Sequence, residues 1–261
     1  MPVADFATET CPECGGTGWA VHSDGGAGTA APCGCRGEGA GPRLLAASGI
    51  PERYCGCTLD NFKIERPERA EQEQLFAARE QCWRYVESFL ALDGRFGSSG
   101  LLFVGNPGVG KTHLAVAVLK ELVTRYHVHG RFEDFTALIH RIQATFEPGT
   151  VDSKHAILRR VTDAELLVLD DLGAQKLSDW VTEILYLVIN TRYNRKLPTI
   201  FTTNLRLEAP RDLDHVPVAA AEEPLAWRIP ARLLSRLYEM ATPVAIVSAD
   251  FRRSYKMPRL A

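Results

Sequence analysis

No apolar run in this sequence approaches the roughly 18 residues that a membrane span requires, and no charged-then-apolar segment opens it as a secretory signal would. Both absences argue for a cytoplasmic protein with no membrane partner. Strong net charge is missing as well: −2 at neutral pH, with a pI near 6.4, exerts no global pull on nucleic acid. There is no internal repeat and no long low-complexity tract. What remains is ordinary for a globular protein: 46% hydrophobic and 24% charged residues over 261 positions, enough for one or two domains with a proper core. Charge is nevertheless uneven, since residues 1–60 carry three Arg against seven Asp/Glu and residues 225–261 carry seven Arg/Lys against two acids. Seven cysteines in a reducing compartment favour metal binding or isolated thiols over disulfides.

The chain is organised around Gly105-Asn106-Pro107-Gly108-Val109-Gly110-Lys111-Thr112. This G-x-x-x-x-G-K-[ST] stretch follows the apolar run Leu101-Leu102-Phe103-Val104 and opens an amphipathic segment with Leu114, Val118, Leu122 and Tyr126 on one face, which is the strand–loop–helix context the motif requires. Glycines let backbone N–H groups turn inward around phosphate oxygens, and the helix N-terminus adds partial positive charge. Lys111 can reach the β- and γ-phosphates, and the Thr112 hydroxyl can ligate Mg²⁺. An accidental glycine-rich turn after a buried strand would not fill all eight positions in this setting. The pattern predicts nucleoside triphosphate binding.

Glu165-Leu166-Leu167-Val168-Leu169-Asp170-Asp171-Leu172-Gly173 reads as a buried parallel strand that delivers two carboxylates beside the phosphate loop. Asp170 is expected to hold Mg²⁺ through water, and Asp171 to orient or deprotonate the attacking water. Thr199-Ile200-Phe201-Thr202-Thr203-Asn204 predicts the next buried strand, with Asn204 placed to reach the γ-phosphate or the lytic water, or else serving as a turn residue. A strand over 131–135, a helix capped by Thr136 and running to Phe146, a short helix over 153–162 and a helix from Ser178 fill the intervals. Residues 206–229 read as a surface excursion. Pro230 suits the first position of a helix that puts Arg232 and Arg236 on one face, Val244 to Val247 reads as a fifth strand, and a basic tail follows.

The first sixty residues are of another kind. Cys11-Pro12-Glu13-Cys14 followed by glycines is a C-x-x-C knuckle, and Cys33-Gly34-Cys35 supplies a second pair after a polar, glycine-rich excursion. Two such pairs fit a tetrahedral Cys₄ zinc site whose metal would supply the folding energy that so few large apolar residues cannot. A redox pair, or cysteines without a joint role, remain the alternatives, and His22 is a further ligand candidate. Cys55, Cys57 and Cys82 lack knuckle spacing and read as structural thiols. The organisation expected is a zinc-binding module and connector over 1–60, a linker helix within 61–94, and a nucleotide-binding domain over 95–261.

Taken together, Gly108-Val109-Gly110-Lys111-Thr112-His113-Leu114-Ala115, Leu167-Val168-Leu169-Asp170-Asp171-Leu172-Gly173 and Thr202-Thr203-Asn204-Leu205 resemble the DnaC/DnaI/IstB group of AAA+ ATPases. The cysteine-rich front end and the connector Ile50-Pro51-Glu52-Arg53-Tyr54 to Asn61-Phe62 look like those of DnaC/DnaI-type helicase loaders. The resemblance implies an α/β P-loop fold with a parallel sheet of order 5-1-4-3-2, a small zinc-ribbon-like module and no full helical lid. It implies ATP, Mg²⁺ and Zn²⁺ as cofactors, with residues 105–113, His113 included, around the nucleotide. ATP would sit between neighbouring subunits of an ATP-dependent oligomer, with an arginine finger supplied in trans, best matched by Arg236 and next by Arg232. Partners implied are the replicative DNA helicase and single-stranded DNA, the latter met by the helices between the second and third strands, where Arg141, Lys154, Arg159 and Arg160 lie without an evident aromatic platform. Turnover is expected to be slow and stimulated by assembly, Asp171 being a shorter arm than Glu. An IstB-type transposition helper, a P-loop small-molecule kinase and a non-hydrolysing nucleotide-gated adaptor are the competing readings.

Overall fold

Alternation decides the architecture. In the strand Gly100–Val104 (β3), Leu101 and Phe103 point to one face of a sheet and Leu102 to the other; in Leu166–Asp170 (β5), Leu166 and Val168 oppose Leu167 and Leu169; in Thr199–Thr203 (β6), Ile200 opposes Phe201. All of these side chains are buried, so both faces must be covered, and continuous apolar strands of this kind belong to parallel sheets flanked by helices. The computed structural model describes residues 19–22, 29–32, 40–90, 99–146, 153–174, 177–207 and 224–255.

Its main sheet has five parallel strands. With Gly130–Asp134 as β4 and Ala241–Ala245 as β7, the order is β4-β5-β6-β3-β7, which is 5-1-4-3-2 when the five are counted in chain order and read from the opposite edge. One face is covered by Arg69–Glu87 (α2) and Lys111–Tyr126 (α3), through Leu75, Cys82, Val86, Leu114, Val118 and Leu122. The other carries Phe135–Ala144 (α4), Lys154–Thr162 (α5), Asp179–Asn194 (α6) and Ala231–Met240 (α8), through Leu138, Leu158, Ile184, Leu185, Leu233 and Leu237. A separate antiparallel hairpin pairs Trp19–His22 (β1) with Thr29–Pro32 (β2), and Ala40–Ala47 (α1) leads to the connector. Helix Leu225–Arg228 is α7, and Phe251–Tyr255 (α9) follows the last strand. Among the described residues no helix is long and apolar enough to cross a membrane.

Several boundaries differ from those read in the sequence, each for a local reason. The second strand stops at Asp134, whose carboxylate accepts the Ala137 N–H at 2.8 Å and caps α4 in place of Thr136. Helix α8 passes into β7 without a loop, so the last strand begins at Ala241 rather than Val244, and Pro230 occupies the cap position in extended conformation rather than the first helical turn. The near end of the supposed excursion is anchored: Leu225 is fully buried, its N–H bonds Arg206 O at 2.7 Å, and Arg228 Nη1 donates to Gly173 O at 2.8 Å. Of the three cysteines outside the knuckles only Cys82 is buried, and Cys55 is exposed.

The connector is part of the same body. Leu59 and Phe62 lie in the core cluster with α2 and α3, and Ser48 O accepts the Phe132 N–H of edge strand β4 at 2.7 Å. At the opposite edge of the sheet from the phosphate loop, Arg192 of α6 is fully buried. Its guanidinium donates to Thr199 Oγ1 (2.8 Å), to the carbonyls of Val161 (3.0 Å) and Ala164 (2.7 Å), and to Pro198 O (2.8 Å), thereby fastening the end of α5, the end of α6 and the start of β6. A buried carbonyl that loses its donor pays its full desolvation cost. Arg192→Leu should therefore lower the unfolding free energy by about 3 kcal/mol or more. Urea denaturation checks this, and a loss below about 1 kcal/mol would show that the fan of bonds is dispensable.

Candidate functional site

The carboxyl ends of β4, β5, β6 and β3 bring together side chains far apart in sequence. Parallel register sets Asp134 opposite Asp170, and Val104 opposite Thr203, so the phosphate loop, the two acids and the Thr-Thr-Asn end share one edge of the sheet. After β3 the loop turns through left-handed glycines at Gly108 (φ 82°) and Gly110 (φ 102°). A Cβ on Gly110 would lie 2.6 Å from the Phe62 ring, so this glycine is also required by the closeness of the connector.

Lys111 is buried at the head of α3, and its ammonium donates to Gly105 O (2.8 Å), Asn106 O (2.8 Å) and Asn204 Oδ1 (2.6 Å). Asn204 Nδ2 in turn donates to Asp171 Oδ1 at 2.6 Å, so one amide joins the lysine to the second acid. Asp170 is held separately. The hydroxyls of Thr112 (3.0 Å) and Thr202 (2.6 Å) donate to Asp170 Oδ1, and Thr202 Oγ1 accepts the Asp171 N–H at 2.9 Å. Asp171 itself takes φ 59°, a strained conformation for a residue with a side chain, which sets it apart from the strand that delivers it. The sequence motifs contain all of these except Asp134, Thr202 only as a member of Thr202-Thr203-Asn204-Leu205. Neither the role of the Thr202 hydroxyl nor that of Asp134, an acid inside the strand expected over 131–135, has a local signal in the sequence.

Burial dominates the electrostatics. It brings the Lys111 pKa down to about 8, against the opposing pull of Asp171 and Asp170. It raises Asp170, with the Thr202 and Thr112 hydroxyls acting the other way, and raises Asp171, with Asp134 adding to the effect and Lys111 and Arg252 opposing it. A carboxylate and a hydroxyl side by side, as in Asp170 and Thr112, are hard oxygen donors of the type Mg²⁺ takes when substrate phosphates complete its shell. Among the described residues no group of three His, Cys, Asp or Glu side chains could hold a metal ion by itself. Cys11, Cys14, Cys33 and Cys35 lie outside the described residues.

The space in front of this network is a cavity of about 730 Å³. Pro107 to Thr112 form its floor, and Arg53, Tyr54, Phe62 and Arg66 of the connector form one wall. His113 is turned to that wall, its Nε2 2.9 Å from Thr58 O and its ring 5.4 Å from that of Phe62 in an edge-on contact, so it clasps the connector as well as bordering the cavity. The segment after β7 adjoins that wall and lines the cavity through Phe251 and Arg252. Phe251 N–H bonds Gly108 O at 3.1 Å, Arg66 Nε donates to Ser248 Oγ at 3.0 Å, and Arg252 enters the cavity, where its charge acts on both Lys111 and Asp171. Nothing in a short basic tail singles out Arg252 in the sequence.

Arg232 and Arg236 do not line the cavity; they lie on α8, over the ring of Tyr186. The basic residues between the second and third strands are partly engaged: Arg141 pairs with Glu133, and Arg159 with Asp163 at 3.3 Å. Lys154 lies 6.0 Å from the rings of both Phe146 and Trp180, which meet edge-on at 6.0 Å. An aromatic pair thus exists where the sequence offered no evident platform, because Trp180 comes from α6 and only the fold sets it beside Phe146.

A parallel sheet of this order, with a phosphate loop after its first strand and paired acids after its third, defines a P-loop ATP-binding protein of the AAA+ class. The IstB-like ATP binding protein family matches residues 61–215, and the chain belongs to that family. It is 31% identical over 170 residues to the replicative helicase loader DnaC of Escherichia coli (strain K12), a stretch covering 64% of this chain and 62% of that protein. Phage-like element PBSX protein XkdC of Bacillus subtilis (strain 168) is 27% identical over 256 residues, 94% of this chain and 84% of that protein. A crystal structure of the DnaC helicase loader is 35% identical with a TM-score of 0.57, covering 75% of this chain and 99% of that chain. The match to the first curated relatives spans from 53% to 62% of their own length.

The depressed Lys111 pKa gives the nucleotide site a pH signature. Below about 8 the ammonium is present to meet phosphate; above it, binding must take up a proton, so affinity for ATP should fall by about tenfold per pH unit. The same group adds stability in the opposite sense, since between about 8 and 10.5 the unfolded chain binds more protons than the folded one. Titration of a fluorescent ATP analogue from pH 7 to 9.5 checks the first effect. Constant affinity over that range would mean that Lys111 is not the group met by phosphate.

Proposed function

We propose that this protein is an ATP-dependent loader of the replicative DNA helicase onto single-stranded DNA, acting in the cytoplasm as an oligomer that binds and hydrolyses ATP between subunits. The observation that carries the reading is the linked network Lys111–Asn204–Asp171 beside Thr112–Asp170, in a chain whose matched relatives include proteins named as helicase loaders. In this reading the backbone of residues 105–112 cradles the phosphates and Lys111 exchanges its loop carbonyls for phosphate oxygens. Thr112 and Asp170 would hold Mg²⁺, which when bound neutralises charge on the β- and γ-phosphates. Asp171, kept in place by Asn204, orients the attacking water and accepts its proton, the rise in its pKa making it a better base than an exposed carboxylate. Arg236, with Arg232 beside it, serves the nucleotide of a neighbouring copy, which is consistent with its position away from the cavity of its own chain.

The Phe146–Trp180 pair with Lys154 supports contact with single-stranded DNA, since stacked bases and a nearby cation are the usual elements of sequence-tolerant binding. For the front module, the spacing of Cys11, Cys14, Cys33 and Cys35 along the sequence is what supports zinc. An IstB-type transposition helper remains the second reading, favoured by the description of the matching family.

Two outcomes test the proposal. Asp171→Asn should bind ATP within about twofold of wild type while turnover falls by about a hundredfold or more, measured by phosphate release. Equal loss of binding would make Asp171 a structural residue. With ATP and Mg²⁺ present, the intact protein should retain the replicative helicase in a pull-down from its own cell extract; recovery of a transposase instead would move it to the transposition branch.

A further inference from the structure

Helices α6 and α8 pack against each other, and their outer edge carries a cluster that borders no cavity described above. Tyr186 lies half-buried on α6, with the Arg232 guanidinium carbon 4.5 Å and the Arg236 guanidinium carbon 5.1 Å from the centroid of its ring. Arg236 is also 5.5 Å from the ring of Tyr193, and its closeness to Tyr186 draws that phenol below its ordinary pKa. The Tyr193 hydroxyl bonds both carboxylate oxygens of Glu239 at 2.9 Å. One tyrosine ring therefore carries two guanidiniums, and two like charges are crowded onto a single patch.

Two features say that this patch is built for an anion. Among the described residues the buried Arg236 Nη1 has no hydrogen-bond partner, a costly condition for a charged donor. And what orders the two cations is a neutral ring. A carboxylate in the place of Tyr186 would fix the guanidiniums equally well but would cancel their charge, whereas an aromatic face orients a cation and leaves its field intact. Long arginine side chains lose considerable rotamer freedom when they bind, so holding them beforehand lowers the cost of meeting phosphate.

We propose that Tyr186 is a positioning residue, holding Arg232 and Arg236 as a preset pair that meets the terminal phosphate of a nucleotide bound by a second copy of this chain. The proposal rests on the trans-arginine reading above and adds to it the group that makes the arginines ready.

Mixed full-length subunits separate the two. Arg236→Ala subunits bind ATP but donate no finger; Lys111→Ala subunits donate the finger but hold no nucleotide. Their mixture should regain ATP turnover that neither has alone. When the donor carries Lys111→Ala together with Tyr186→Ala, the maximal rate of the mixture should fall by about tenfold or more at unchanged KM for ATP, because misplacement of a catalytic group affects turnover rather than binding at the acceptor's own site. A Tyr186→Phe donor, which keeps the ring and loses the hydroxyl, should give an intermediate rate. Unaltered ATP affinity of Tyr186→Ala by itself reports an intact fold, and Tyr186→Leu replaces it if that control fails. Equal rates from the donors with and without Tyr186 overturn the proposal, the more so if single-stranded DNA affinity falls instead, which would put the pair on a nucleic-acid backbone. No recovery in the first mixture removes the trans-arginine reading and this proposal with it.

Discussion

The amide of Asn204 joins the two halves of the site. Its oxygen accepts from Lys111 and its nitrogen donates to Asp171, so the buried ammonium and the second carboxylate are set by one side chain at the end of β6. Beside it, Thr202 fixes both acids, through the Asp170 carboxylate and the Asp171 backbone. These bonds are buried or half-buried, where a polar group without a partner is expensive, so the arrangement tolerates little slack. It depends on strand register: a shift of β6 by one residue would put Phe201 or Thr203 in the place of Thr202 and turn the Thr202 hydroxyl to the other face of the sheet.

Two segments of the chain close around that network. The connector reaches the phosphate loop through Phe62 and His113, and the segment after β7 reaches it through Phe251 and Arg252. Arg66 ties the two together, bonding Ser248 and lying 5.4 Å from the Phe251 ring. A change at the phosphates thus has short physical routes to the segment that leads to the cysteine-rich front and to the segment following the sheet. Coupling along these routes needs no long pathway, only displacement of groups already in contact.

Much of this was legible in the sequence, and the limits have physical causes. The phosphate loop, the acid pair and Asn204 are readable because each is a short motif attached to an apolar strand, and apolar runs broken by turn residues report parallel strands well. The sheet order came from resemblance rather than from periodicity, which says nothing about which strands are neighbours. Asp134 and Arg252 go unread, and Thr202 is read only as a member of a motif, because their meaning lies in contacts across the sheet edge, made by residues whose local setting is commonplace. The Phe146–Trp180 pair and the Tyr186 cluster were invisible for the same reason: the first joins the turn after α4 to α6, the second joins α6 to α8. Helix and strand ends moved by a few residues where capping chemistry competed, as at Asp134, or where helix and strand abut, as at Ala241.

The proposed function requires that the site be completed between copies. Within one chain the cavity has its phosphate loop, acids and connector, while the arginine pair on α8 lies outside it. The most direct measurement is the ATPase rate per mole of protein as a function of protein concentration, with sedimentation velocity run in parallel in ATP–Mg²⁺ and ADP–Mg²⁺. ATP should drive association, and the specific rate should climb as oligomers form. A specific rate independent of concentration, from a species that sediments as a monomer, would contradict the proposed function.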